Sequence, residues 1–226
     1  MLWERFGHDM QKEAFERDPK TYWSYPIIEF PIDNYVEFCV AQAFLDRAGR
    51  FTTWDLESNC SFAPYRRTLR KVNFEEAFHF RHGALWTEYY YNLCDETRQM
   101  VIDATKWIFP WGLHWYGRPD HLKGHPEQLV YGVRKWSNDT MRDKWLQSAC
   151  SFADRIGLDV PAKWDDEEGK YVMDLPFPML FDRETKSWIW EEADWVTYIN
   201  EFKKGGPMRP GVYERLQQEE WGDLLW

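Results

Sequence analysis

Apolar residues recur at helical spacing along most of the chain's first 160 positions. Over 32–57 they fall at Tyr35, Val36, Cys39, Val40, Ala43, Phe44 and Phe51, a one-sided pattern that predicts an amphipathic helix. The run Ser58-Asn59-Cys60-Ser61-Phe62-Ala63-Pro64 is a turn cluster ending in a helix-starting proline. A second helix is expected over 65–93. A third is expected over 96–109, capped by Asp95 and kinked or ended at Pro110. A fourth runs over 126–155 through Leu129, Val133, Trp136, Met141, Trp145 and Ala149, with Asn138-Asp139 as an interruption and Gly157 as its stop. The N-terminal 24 residues suggest a short helix over 2–17, stopped at Asp18-Pro19. It is either a plain N-terminal helix or, in a split protein, the segment that docks on a partner. From 162 the texture changes. Short extended pieces flank a turn at 165–169, the stretch 181–189 looks irregular, and helices are expected over 191–203 and 210–225.

The second helix carries a Glu-x-x-His pattern. Glu76 and His79 stand three residues apart, on one face about one turn apart. Two helices joined by so short a connection pack antiparallel, and residues equidistant from the turn lie at one height. Asp46 is fifteen residues before Ser61 and Glu76 fifteen after it; both sit roughly 20 Å from the turn. Asp46 is flanked by Phe44, Leu45 and Ala48, an unfavourable place for a carboxylate with nothing to bind. Asp46, Glu76 and His79 are therefore candidate ligands for one metal ion. His82, one turn further on, points past that level and is expected beside the site or as a satisfied core histidine. Glu4 and His8 are too near the start for a core pair. His121 and His125 lie in a Gly- and Pro-rich loop that does not hold a zinc geometry.

Composition narrows the classes. Aromatic residues make up 19% of the chain, with 15 Trp, which fits extensive contacts between helices and between subunits. A net charge of −10 argues against nucleic-acid binding. No apolar run approaches the roughly 20 residues that span a bilayer, and the first residues lack a secretion signal. Cys39, Cys60, Cys94 and Cys150 are widely spaced and are expected as reduced, buried thiols of a cytoplasmic protein.

Several stretches together resemble the catalytic di-iron subunits of bacterial phenylacetyl-CoA ring-1,2-epoxidases. They are Tyr25-Pro26, Asp46, Glu75-Glu76-Ala-Phe-His79-Phe-Arg-His-Gly83, Trp107-Ile-Phe-Pro-Trp-Gly-Leu-His-Trp-Tyr-Gly117, Arg134-Lys-Trp-Ser-Asn-Asp139 and Ile156-Gly-Leu-Asp-Val-Pro161. The resemblance implies an all-α, ferritin-like helical bundle over 25–161, with an irregular C-terminal extension over 162–226. It implies iron as the metal and Asp46, Glu76 and His79 as its ligands. That family has a second donor set, a Glu and a further Glu-x-x-His, on an earlier helix pair. This sequence has no second Glu-x-x-His. The bundle is thus expected to be partial and completed by a partner chain, with two irons shared between them. The implied activity is oxygenation of an aromatic acyl-CoA. The further partners implied are a ferritin-like structural chain and a separate flavin/iron–sulfur reductase using NAD(P)H. The cations early in the second helix oppose its dipole and suggest an anion nearby. Arg66 and Arg70, with Arg134 and Lys135 as a second basic spot, are candidate contacts for coenzyme A phosphates, the alternative being an acidic partner surface or solvated charge. Two alternatives are a homodimeric half-site iron oxidase or store, and a metal-free structural component of such an oxygenase.

Overall fold

The computed structural model describes residues 7–9, 32–123, 127–191 and 193–204. The helices expected over 2–17 and 210–225, most of the docking segment 1–24, Tyr25-Pro26 and His125 lie outside the described residues. Residues Ile32–Trp190 form one compact unit. Its first helix, α1 (Tyr35–Ala41), is capped by Asn34, whose side chain accepts from the Glu37 N–H at 2.9 Å. It continues without a break through a π-helical turn, Gln42–Asp46, into α2 (Arg47–Asn59). The turn at Cys60–Phe62 leads to α3 (Ala63–Leu93), 31 residues long, with proline in its first turn.

Helix α4 (Asp95–His114) departs from expectation at both ends. Its N-cap is Cys94, not Asp95, because the Thr97 hydroxyl reaches back to the Cys94 N–H at 3.3 Å. Cys94 is consequently exposed, whereas Cys39, Cys60 and Cys150 are buried; all four are free thiols. Pro110 lies inside the helix and does not end it. The bond a proline forfeits is to the carbonyl four residues back. Here that is Lys106, and the helix runs on regardless because Trp111–His114 beyond the proline are all buried.

The single helix expected over 126–155 is two: α5 (Glu127–Val130) and α6 (Asn138–Ile156). Side chains hold the chain open between them. The buried Asp55 carboxylate accepts from the N–H groups of Lys135 at 3.0 Å and Trp136 at 3.1 Å. Ser137 caps α6 by accepting from Thr140 N–H. Gly157, in the left-handed conformation, ends it. Replacing Asp55 by Ala strands those two donors and should cost about 2 kcal/mol, seen as a lower urea midpoint. Asp55→Asn, which keeps an acceptor, should recover part of the loss.

The core lies where α1 packs on α4 and α2 on α6. Phe44 meets Phe109 with ring centroids 5.0 Å apart, and Phe109 meets Trp145 at 5.0 Å. Val40, Ile108 and Met141 complete it. Residues 162–190 form two antiparallel hairpins. In the first, β1 (Ala162–Asp165) pairs β2 (Lys170–Met173); in the second, β3 (Leu180–Asp182) pairs β4 (Ser187–Ile189). The second replaces the irregular stretch expected there. Both are anchored to helices: Tyr171 donates to Asp154, and Trp188 Nε1 donates to the Trp107 carbonyl at 3.1 Å. His114, wholly buried, accepts from Met179 N–H at 3.0 Å. Burial pushes its imidazole down to about 3, so it stays neutral and available as that acceptor.

In the other unit, α7 (Trp195–Lys204) starts at Asp194, whose carboxylate accepts from Val196 N–H at 2.7 Å and Thr197 N–H at 3.0 Å.

Candidate metal site

Two elements supply the candidate donors. The π turn ends on Asp46, and α3 carries Glu76 and His79 one turn apart. The antiparallel pairing of α2 and α3 about residues 60–62 brings the three together: one ligand atom from each lies within 4.8 Å of the others. His79 Nδ1 is 3.7 Å from Glu76 Oε1. Nitrogen and carboxylate donors stand about 2.0–2.2 Å from a bound transition metal. Donors around one ion thus span up to roughly 4.4 Å, and small side-chain rotations close this set. Two carboxylates and one imidazole are a donor set that iron, manganese or zinc accepts. The residues fit a metal.

The electrostatics fit as well. Burial pushes the Asp46 carboxyl up to about 6, the Glu76 carboxylate adds to the rise, and His79 opposes it. Two carboxylates held close in a partly dry site favour a shared cation.

The π turn sets where Asp46 stands. A π turn inserts one extra residue into a helix, so helical carbonyls lose their usual partners. Side chains supplement the backbone here: Arg47 Nε donates to the Ala43 carbonyl at 3.0 Å, and the Phe44 carbonyl accepts from Trp145 Nε1 at 2.9 Å as well as from the Arg47 N–H. Nothing in the apolar periodicity of 32–57 marks this turn or the parts that Gln42 and Arg47 play in it. Their residue types signal it only once Trp145 is known to lie opposite.

His82 is not among the clustered donors. Its Nδ1 lies 2.7 Å from Gln42 Oε1 and its Nε2 3.0 Å from the Tyr35 hydroxyl, so it ties α3 to the start of the π turn. The four candidate phosphate contacts are not brought into one group. Arg66 and Arg70 are exposed on the first turns of α3, Arg70 pairing with Glu57 at 3.3 Å. Arg134 is buried and donates to Asn138 Oδ1 at 2.5 Å. The outward-facing basic spot expected at Arg134-Lys135 is reduced to exposed Lys135, because Asn138 and the nearby carboxylates of Asp55 and Asp120 draw the arginine in.

The donors border an open face of α3. His79 keeps 45% of its side chain exposed. It lines a shallow concavity with Phe74 and Phe78. Those two and Leu85 are 82%, 68% and 64% exposed, and Tyr89 and Leu93 extend the stripe. Scattered apolar residues are ordinary on a surface; a stripe along one helix face is the mark of a covered one.

Among the described residues, no helix is long and apolar enough to cross a membrane. The chain is similar to the A-type component of 1,2-phenylacetyl-CoA epoxidase from Escherichia coli (strain K12), 25% identical over 153 residues. That match covers 60% of this chain and 50% of the relative, so the chain spans about half the length of the curated relative it matches. The family model described as phenylacetic acid catabolic protein matches residues 2–195. A helical bundle, a carboxylate–histidine cluster and a family match over most of its length lead to one assignment: the chain belongs to the phenylacetic acid catabolic protein family, whose fold is ferritin-like.

Proposed function

We propose that Asp46, Glu76 and His79 bind one half of a two-iron centre, and that the chain acts as an oxygenase component on an aromatic acyl-CoA. The observation that carries the reading is the convergence of three ligand atoms within 4.8 Å on two buttressed helix segments. The likeness to an epoxidase component supports the reaction class. The centre, when bound, supplies activation of dioxygen, with electrons from a separate reductase.

This chain's own residues do the rest. Asp46 and Glu76 would hold the cation through carboxylate oxygens and His79 through a ring nitrogen, and the bound charge offsets the cost of keeping the Asp46 carboxylate ionised in a partly dry site. His82, Gln42 and Tyr35 hold α3 in register with the π turn, so the donors stay aligned. Helices seated on Phe74, Phe78, Leu85, Tyr89 and Leu93 exclude water from the exposed edge of His79. We assign those helices to a partner that brings the remaining Glu and Glu-x-x-His. Arg66 and Arg70 lie six to ten residues before Glu76 on α3, about 9–15 Å along the axis, a span that suits a pantetheine arm between phosphates and reacting acyl group.

Anaerobic equilibration with ferrous ion tests the reading. The chain alone should retain little iron, and the chain with its partner about two per pair. His79→Ala should cut the retained iron at least tenfold. A lone chain that keeps two irons in its own bundle overturns the shared centre. Native mass spectrometry identifies the partner: a single kind of chain in the loaded assembly assigns the other half to a second copy.

A further inference from the structure

A second feature lies beside the donors and is not used by them. A cavity of about 270 Å³ opens between α2, α3 and α6, lined by Arg47, Arg50, Phe51, Trp54, Asn73, Phe80 and Ser148. Arg47 is buried, with only 5% of its surface exposed. Its Nε is taken by the Ala43 carbonyl and its Nη1 by the Ser148 carbonyl at 3.0 Å and hydroxyl at 2.6 Å. Its guanidinium lies over the Phe80 ring, 4.3 Å from the centroid. Arg50 reaches the same ring, at 5.7 Å. Among the described residues no carboxylate pairs with either arginine. Of the cavity's other polar side chains, Ser148 is neutral and Asn73 is occupied by Thr53 and Glu57. Arg155, the next cation, is balanced by two bonds to Glu88. A buried cation is retained where something of opposite charge meets it. Arg47 is such a cation; exposed Arg50 reaches the same ring, and among the described residues no anion lies between the two.

We propose that this cavity binds a small oxyanion, a carboxylate or phosphate group, held between Arg47 and Arg50. The planar guanidinium fork matches both groups. Phe51, Trp54 and Phe80 give the cavity aromatic walls, so the oxyanion can be free phosphate or the head of an aromatic carboxylate. The site does not depend on a metal at Asp46.

Isothermal titration of the whole 226-residue, metal-free chain tests this, with inorganic phosphate and benzoate as separate probes and chloride at matched ionic strength as control. Saturable binding of at least one probe is expected. Benzoate alone assigns an organic carboxylate, and phosphate alone or both assigns the oxyanion itself. Arg50→Gln, at an exposed position, should weaken binding about tenfold or more, and Arg47→Gln should abolish it. Lys163→Gln, on the β1–β2 hairpin, should leave it unchanged. Failure of both probes to exceed chloride, or equal binding by the Arg50 variant, overturns the proposal.

Discussion

Gly83→Ala should destabilise the chain by about 3 kcal/mol and weaken metal binding together. A Cβ at Gly83 would lie 2.5 Å from the Ala43 nitrogen, 2.5 Å from Gln42 Cβ and 2.7 Å from the Gln42 carbonyl carbon. Two of these three atoms are backbone, and both belong to the π turn, whose carbonyls are fixed by Arg47 and Trp145. No side chain can swing aside to make room. Helix α3 must back away by roughly 1 Å, beyond what a close-packed interior absorbs without loss. Glu76 and His79 ride on that helix and Asp46 ends the turn it leaves, so the donor set widens too. A fall in melting temperature of about 6–12 °C is expected, with a parallel loss of affinity for ferrous or cobalt ion. A melting temperature within experimental error of the parent would show that the contact is not a close one.

Asp46→Asn should have opposite effects on two measurements. Metal binding falls by at least an order of magnitude, because one of three protein donors loses its charge. The metal-free chain becomes more stable at neutral pH. The sign follows from the direction of the shift. A carboxyl whose folded value is raised from the usual 3.8 to about 6 favours folding only in its protonated form. Its contribution is fully present below about 4 and is lost as pH rises through about 6. At pH 7 the charged side chain opposes folding by about 2–3 kcal/mol, which a neutral amide relieves. Urea midpoints of the two metal-free chains should therefore differ most at pH 7 and converge near pH 4. A constant difference across that range would mean that the amide acts through packing rather than through charge.

Much of this arrangement is legible in the sequence, and the reasons are physical. Asp46 and Glu76 match by equal distance from Ser61, which works because a short connection forces antiparallel pairing and helices rise uniformly. The elements that escape a reading of the sequence depend on distant partners. The π turn is held by Trp145, about a hundred residues away in sequence, and the break before α6 by Asp55, some eighty residues upstream. Helical periodicity over 126–155 favours one continuous helix; a single buried carboxylate offering better acceptors to Lys135 and Trp136 overrides it. Pro110 reads as an end because its lost bond is local, whereas the burial that carries α4 on to His114 comes from distant elements. The same limit governs Arg134: its charge suggests the surface, and Asn138 one turn on draws it inside.

The widened turn at Gln42–Asp46 has a consequence for the molecule's construction. One additional residue advances the side-chain phase of a helix by about 100°. The rod that begins at Tyr35 keeps α3 beside it throughout but meets α4 before the step and α6 after it. A single uninterrupted stretch of backbone does the work of two, and Asp46 stands where the change of address occurs.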